Sequence, residues 1–360
     1  MPRQIGTATA RPRASTALTD ARWLDLGVLT PRELHAAYAG LAQAQTDEAS
    51  PLLLWARCDR PHLCIGASQS APEELDPAAC DRLGIEVLRR PLGGGSVWVD
   101  PHQACLFVIL PHGRSPQGHP ALFDLCLPPL LDVFAGQGLD ARRVGGQDLW
   151  VGGRKVLGSG AATLGRAMVF GTSFLLRFDT SAFAEVIRAP SEAYREWLTE
   201  LLAAGMTDWR QEGVEPDLAV LAEATRAAYA RHCGWRIRTD RLREDERAAM
   251  RTAGLEMTAD EEGDLAPSRR LVRHGIKVNQ RTYLVESGEG RACLRAVISA
   301  GKIQRLYSGE PDLNARLQVL LGEPVDAPRL LRRLTDQGVH DAEAWVRRIL
   351  TMTADIDLDA

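Results

Sequence analysis

No two of the seven cysteines in this 360-residue chain are spaced as CxxC, and none stands in a Cys/His cluster with zinc spacing. The positions (58, 64, 80, 105, 126, 233 and 293) are scattered and odd in number. That argues against a disulfide framework or a structural zinc site and for free thiols in a reducing compartment. No apolar run approaches the ~20 residues needed to span a bilayer. The first nineteen residues hold no acid and no long apolar core, which excludes a secretory signal. Their composition overlaps with that of a transit peptide, but they read rather as a flexible extension, residues 1–20, of a cytoplasmic protein. A formal net charge of −4 favours neither nucleic acid nor a membrane surface as partner. Neither GxGxxG nor GxxxxGK followed by Ser or Thr occurs in the strand–loop–helix context that Rossmann and P-loop sites require.

What is present is an ordinary globular composition, 45% hydrophobic and 25% charged, in a chain long enough for two or three domains. Thr30-Pro31-Arg32-Glu33 opens a helix with a capping box and Pro at the first helical position, and Leu34, Tyr38 and Leu41 share one face. Leu52 to Trp55 and Leu63 to Gly66 read as strands around an Asp59-Arg60-Pro61 turn. Asp76-Pro77 starts a helix that ends near Gly84, before a strand over Ile85 to Leu88. Ala104 to Leu110 is apolar on both faces, as a covered central strand would be. Residues 119 to 137 are helical in pattern, with a break or kink expected at Pro128-Pro129. Helical periods return between 180 and 231. Residues 255–270 read as a linker, and the strands and helices after it as a smaller α+β unit, residues 271–360.

Two glycine-rich blocks stand out. In Arg89-Arg90-Pro91-Leu92-Gly93-Gly94-Gly95-Ser96-Val97-Trp98-Val99-Asp100, three glycines lie between two arginines and a strand. Glycine lets backbone N–H groups approach a ligand and form an anion-binding nest; the competing reading is a hairpin turn. The second block runs from Val144 to Thr172, where Leu149 to Val151, Gly152-Gly153 and Arg154 to Leu157 read as a hairpin carrying Lys155, with Gly158-Ser159-Gly160 downstream. A cation beside two loops rich in N–H groups suits a carboxylate and a phosphate held side by side. Acyl-adenylate chemistry requires that combination. Lys155 on its own reads more readily as a solvated hairpin lysine.

Arg90 to Asp100 resembles the R-x-(S/T)-G-G-G-x-V-x-H-D motif of lipoate–protein ligases. Gln147-Asp148-Leu149 followed by Gly153 to Ser159 resembles their N-D…G-(R/K)-K-I-x-G-S motif, and Phe170-Gly171-Thr172, Leu175-Leu176 and Asp179 their H-G-T-L-L…D segment. The resemblance covers roughly residues 20–190, with the motifs in the family's order. His274 to Glu286, Gly301 to Ile303 and Ser308-Gly309 resemble the small accessory domain of the same ligases.

The resemblance implies an α+β protein with the biotin/lipoate ligase fold, related to class II aminoacyl-tRNA synthetases. A mixed, mainly antiparallel sheet flanked by helices would form a catalytic domain over residues 21–254, followed by the small α+β domain. It implies that lipoate (or octanoate) and ATP give acyl-AMP and pyrophosphate. A lysine of a lipoyl domain then takes the acyl group, the domain belonging to a 2-oxoacid dehydrogenase acyltransferase subunit or the glycine-cleavage H protein. Lys155 would be catalytic, contacting the acyl carboxyl and then the adenylate phosphate. Arg90, Gly93, Gly94, Gly95, Gly158 and Ser159 would line the acyl-adenylate site. Gln147, Asp148, Gly171 and Thr172 would lie at the nucleotide, and Asp148 is the candidate Mg²⁺ ligand. Asp100 reads as holding the loop by hydrogen bonds.

Val99 and Phe170 stand where the family carries histidines, Gln147 where it carries Asn, and Leu92 where it carries Ser or Thr. Leu92 and Val99 are where this chain is expected to differ from its relatives. Two alternatives stay open. One is an octanoyl or lipoyl transferase using a cysteine thioester. Ser191 follows Ile187-Arg188-Ala189-Pro190 where one transferase branch has its cysteine, and no cysteine lies between Cys126 and Cys233. The other is a non-catalytic binder of lipoyl domains or acyl-adenylates. A biotin ligase is disfavoured because its G-R-G-R-x-x-R loop is absent.

Overall fold

A computed structural model describes residues 19–257 and 272–358. Its centre is a six-stranded mixed sheet in the order Ser159–Leu164, Ala167–Leu175, Gln103–Pro111, Leu52–Cys58, Thr19–Leu29, Trp235–Thr239. The first three pairings are antiparallel and the last two parallel. Every residue of Gln103–Pro111 is buried, because helices cover both faces of the sheet. Helices Gly118–Gly136 and Leu218–Cys233 supply one core, around Phe134, Phe170, Trp209 and Tyr229. Helices Pro31–Gln43 and Glu244–Glu256 close the other, around Leu34, Tyr38, Leu41 and Phe107.

The expected capping box forms: Glu33 N donates to Thr30 Oγ1, and Thr30 N donates to Glu33 Oε2 at 2.9 Å. Two side-chain bonds thereby satisfy backbone donors that every helix start leaves orphaned. The helix then packs so closely on Glu244–Glu256 that a Cβ on Gly40 would lie 2.6 Å from the Ala249 backbone.

The break expected at Pro128-Pro129 does not form. Helix Gly118–Gly136 runs through both prolines. A proline inside a helix costs ~3 kcal/mol, and burial of Leu122, Cys126, Leu127, Leu130, Val133 and Phe134 along the same helix offsets it at ~1.5–3 kcal/mol for each large side chain. The first strand begins at Thr19, inside the stretch read as an extension, and residues 1–18 lie outside the described residues. Helix Glu244–Glu256 passes the expected boundary at 254, and most of the linker expected over 255–270 also lies outside the described residues.

The small domain is an antiparallel meander, Gly275–Lys277, Thr282–Ser287, Leu294–Ser299 and Lys302–Ser308, with its own core against helices Pro311–Leu317, Ala327–Asp336 and Ala342–Met352. It also shares a core with the catalytic domain. Val278, Leu284 and Val297 pack with Tyr194, Leu198, Leu202 and Met206, and the buried Tyr194 hydroxyl donates to Leu284 O at 3.2 Å. Among the described residues, no helix is long and apolar enough to cross a membrane.

Candidate active site

The triple-glycine segment is not a hairpin turn. Strands Glu86–Arg89 and Val97–Val99 do not pair with each other; both flank His62–Ile65, the first parallel to it and the second antiparallel. Residues 90–96 therefore cross over the end of the middle strand. Arg90 braces that crossing from below. One guanidinium nitrogen donates to Cys64 O at 2.7 Å, the other to Gly93 O at 3.1 Å and Gly95 O at 2.6 Å. Gly94 has φ +102°, and its carbonyl oxygen lies 2.3 Å from where a Cβ on Gly66 would sit. The crossing thus depends on glycine at both positions. Asp100 ends the following strand, accepting from Trp98 Nε1 at 2.9 Å and His102 N at 2.8 Å.

Opposite the crossing lies the hairpin Asp148–Val151/Arg154–Leu157, whose turn residues Gly152 and Gly153 have φ +56° and +82°. Positive φ at both central positions is the tight-turn geometry that glycine supplies without strain. Its ladder shifts register between Leu149 and Trp150, an irregularity that re-aims side chains. Lys155 Nζ sits 3.1 Å from Asp148 Oδ1. A Cβ on Gly158 would lie 2.9 Å from that ammonium. Ser159 Oγ donates to Gln147 O at 2.6 Å, and Thr172 Oγ1 donates to Gly158 O at 2.8 Å, tying the hairpin to the central sheet.

The crossing and the hairpin wall a cavity of about 500 Å³, and Arg90, Gly93, Gly94, Gly95, Gln147, Asp148, Lys155, Gly158, Ser159, Gly171 and Thr172 all line it. Arg90 does so as a brace, its fork occupied by carbonyls of its own loop and of Cys64 on the middle strand. Gly171 leaves room for an apolar wall: a Cβ there would come within 2.7 Å of Leu92 and 3.0 Å of Phe107. Leu92 and Val99 belong to that wall. Phe170 points to the opposite face of the sheet, where it packs edge-on against Phe123 at 6.1 Å. Of the two family histidine positions, only the one taken by Val99 shapes the cavity.

Sequence reasoning missed two groups of lining residues. The first comes from the small domain: Lys277, Asn279, Gln280 and Tyr283. Lys277 Nζ donates to Gln280 Oε1 at 3.0 Å and lies 5.7 Å from the centre of the Tyr283 ring. The second is His35 at the apolar end. Its Nε2 is 2.9 Å from His62 Nε2 and its Nδ1 3.2 Å from the Tyr38 hydroxyl, while His62 Nδ1 is 3.4 Å from Cys58 Sγ. Burial holds His62 down at about 4 and, with His62 and Arg90 nearby, holds His35 well below the usual imidazole range. Cys64 and Cys105 also line the cavity. Burial pushes both thiols up; Arg90 beside Cys64 only partly opposes this. Among the described residues, no group of three or more His, Cys, Asp or Glu could hold a metal ion.

The architecture is that of a solved bipartite lipoate protein ligase from Thermoplasma acidophilum, studied with its E2 lipoyl domain. The TM-score is 0.63 at 21% identity, covering 68% of this chain and 95% of that one. Residues 34–230 match the sequence model of the lipoyl protein ligase A/B catalytic domain, and the chain belongs to that family. Similar relatives fall on both sides of the family. Octanoyltransferase LipM of Carboxydothermus hydrogenoformans is 26% identical over 195 residues, 45% of this chain and 70% of its own. Lipoate-protein ligase LplJ of Bacillus subtilis is 32% identical over 133 residues, 36% of this chain and 38% of its own.

Proposed function

We propose that the chain is an ATP-dependent lipoate–protein ligase. The observation that carries this reading is the Lys155 ammonium, held 3.1 Å from Asp148 in a cavity that the Gly93–Gly95 crossing also lines. In the first step, a carboxylate oxygen of lipoate or octanoate attacks the α-phosphorus of ATP, forming acyl-AMP and releasing pyrophosphate. Lys155, fixed in a partly desolvated site, stabilises the charge that builds on the phosphate. In the second step, the amine of a lipoyl-domain lysine attacks the acyl carbon, loses a proton and displaces AMP. Asp148 Oδ2 is buried without a hydrogen-bond partner, so it offers Mg²⁺ the one or two carboxylate contacts this ion takes beside substrate phosphates. Bound Mg²⁺ would neutralise phosphate charge.

A thioester transferase needs an activated thiolate near the lysine. Cys64 and Cys105 are buried with their thiols pushed up. Ser191 caps helix Glu192–Gly205 and bonds Glu286 and Arg295 of the small domain at 3.2 and 3.0 Å, so it serves the domain contact. Both features favour the ligase. Lipoyl domains of 2-oxoacid dehydrogenase acyltransferases and the H protein are the proposed acceptors, and the cytoplasm the proposed compartment.

Lipoate-dependent exchange of labelled pyrophosphate into ATP tests the reading. A ligase performs the exchange. A thioester transferase, the reading the LipM relative favours, shows none but moves octanoyl groups from a thioester donor to a lipoyl domain without ATP.

A further inference from the structure

We infer that Lys277, carried by the small domain, is a second cationic contact for the phosphoanhydride of the nucleotide, lining the same cavity as the glycine crossing. The inference rests on the ligase reading and adds a residue that neither the motifs nor the catalytic domain contains.

Lys277 ends the edge strand Gly275–Lys277 and lines the same cavity as Lys155 and Asp148. Its ammonium donates to a neutral amide oxygen, that of Gln280, and lies over the Tyr283 ring. Burial and Lys155 work against its charge, while Asp148 and Asp357 support it. Asp355, the other small-domain acid on the cavity, is 3.5 Å from Arg273. Two ammonium groups thus act on Asp148, whose Oδ1 already faces Lys155. Like charges in a partly desolvated cavity repel. A tri- or pyrophosphate, with several anionic oxygens spread over a few ångströms, relieves that repulsion by bridging both.

The position is also held in place. A Cβ on Gly145 would lie 2.8 Å from the Gln280 side chain, so the turn that presents Lys277 rests on the loop leading to Gln147 and Asp148. Asn279 Oδ1 accepts from Arg281 N and Thr282 N, each at 3.0 Å, and fixes the turn. A lysine required only to stitch that turn would not need to face the cavity.

The test uses the full-length protein, with inorganic pyrophosphate as the calorimetric probe and ATP–pyrophosphate exchange as the kinetic one. Lys277→Ala should weaken pyrophosphate binding and raise the KM for ATP by about tenfold or more, the effect of losing one charge-assisted contact, with the KM for the acyl acid within about twofold of wild type. Lys277→Arg should recover most of the loss, since it keeps the charge. Unchanged pyrophosphate affinity in Lys277→Ala overturns the inference while wild-type exchange leaves the ligase reading standing. So does a loss that Lys277→Arg fails to recover and that follows a lowered melting temperature. A wild type without exchange overturns both.

Discussion

Asp148 presents its two carboxylate oxygens to different surroundings: Oδ1 lies 3.1 Å from Lys155 Nζ, whereas Oδ2 is buried and receives no hydrogen bond. A buried acceptor without a partner is costly unless something else supplies one. If the cavity takes phosphates, as proposed, a cation is the group that fits. In the proposed ligase the pair would do two jobs: Oδ1 would steer the lysine, and Oδ2 would be held ready for a metal–nucleotide complex.

Lys155→Ala should abolish lipoate-dependent pyrophosphate exchange, by about 10²–10³-fold or more. It should also destabilise the protein, because Asp148 would stay buried without its counter-charge. A buried pair broken on one side costs ~3–5 kcal/mol, and the partial exposure of Lys155 brings the expectation down to ~1–3 kcal/mol. The double variant Lys155→Ala/Asp148→Asn should recover stability but not activity. Urea midpoints of the two variants measure the difference; equal midpoints would mean that Asp148 does not depend on the lysine.

Two glycines separate scaffold from chemistry. A Cβ on Gly66 would meet the Gly94 carbonyl at 2.3 Å, backbone against backbone, whereas one on Gly158 would meet the flexible end of Lys155 at 2.9 Å. Gly66→Ala should shift the crossing, lowering the melting temperature by several degrees along with activity, as a backbone displacement costing ~1–3 kcal/mol does. Gly158→Ala should push the ammonium aside and reduce kcat about tenfold or more at nearly unchanged melting temperature. If Gly158→Ala loses stability and keeps kcat, Lys155 is not where the chemistry happens.

His35 and His62 form a buried neutral pair at the apolar end of the cavity, 2.9 Å apart. The unfolded chain protonates both near pH 6.5, whereas His62 in the folded protein takes a proton only near 4, and burial pushes His35 the same way. Below pH 6.5 the unfolded state binds more protons, so stability falls as pH falls and levels off once the folded pair protonates. For His62 the loss between pH 7 and 4 is on the order of 3 kcal/mol. Denaturant midpoints measured across that range should drop in the wild type and drop less in His62→Gln. Parallel curves would remove the pair as the cause.

The motifs to which the chemistry is assigned were legible because they are local. Lys155, Asp148 and Gly158 lie within one hairpin and its exit, and turn glycines mark both. What escaped depends on distant partners. Glu86–Arg89 and Val97–Val99 look like hairpin arms in sequence, yet His62–Ile65 inserts between them. Trp235–Thr239 is an unremarkable stretch until it pairs with Thr19–Leu29, more than two hundred residues earlier. Lys277 lies in the stretch that resembles the accessory domain, but nothing in that resemblance marks it as a site residue. It reaches the cavity because Leu284 and Val297 pack against Leu198 and Leu202, a tertiary contact that no periodicity announces. The continuous helix through Pro128-Pro129 is the same lesson in reverse, with burial overriding a strong local signal.

The cysteines give the sharpest test between ligase and transferase. Cys64 and Cys105 are the thiols that face the cavity among the described residues, and both are pushed away from the thiolate by burial. A nucleophilic cysteine needs the reverse, a lowered pKa and access to the acyl group. Cys64→Ser and Cys105→Ser should keep pyrophosphate exchange and acyl transfer within about threefold, and each should cost no more than ~1–2 kcal/mol for placing a hydroxyl in an apolar wall. Iodoacetamide should leave the folded protein active, since the thiol form does not react. Loss of transfer in either serine variant with the melting temperature intact, or recovery of an octanoyl thioester on that residue by mass spectrometry, would move the chain to the transferase side of its family. Retained activity in the doubly substituted protein would leave Lys155 with no thiol to serve, and direct adenylation as the route for the acyl group.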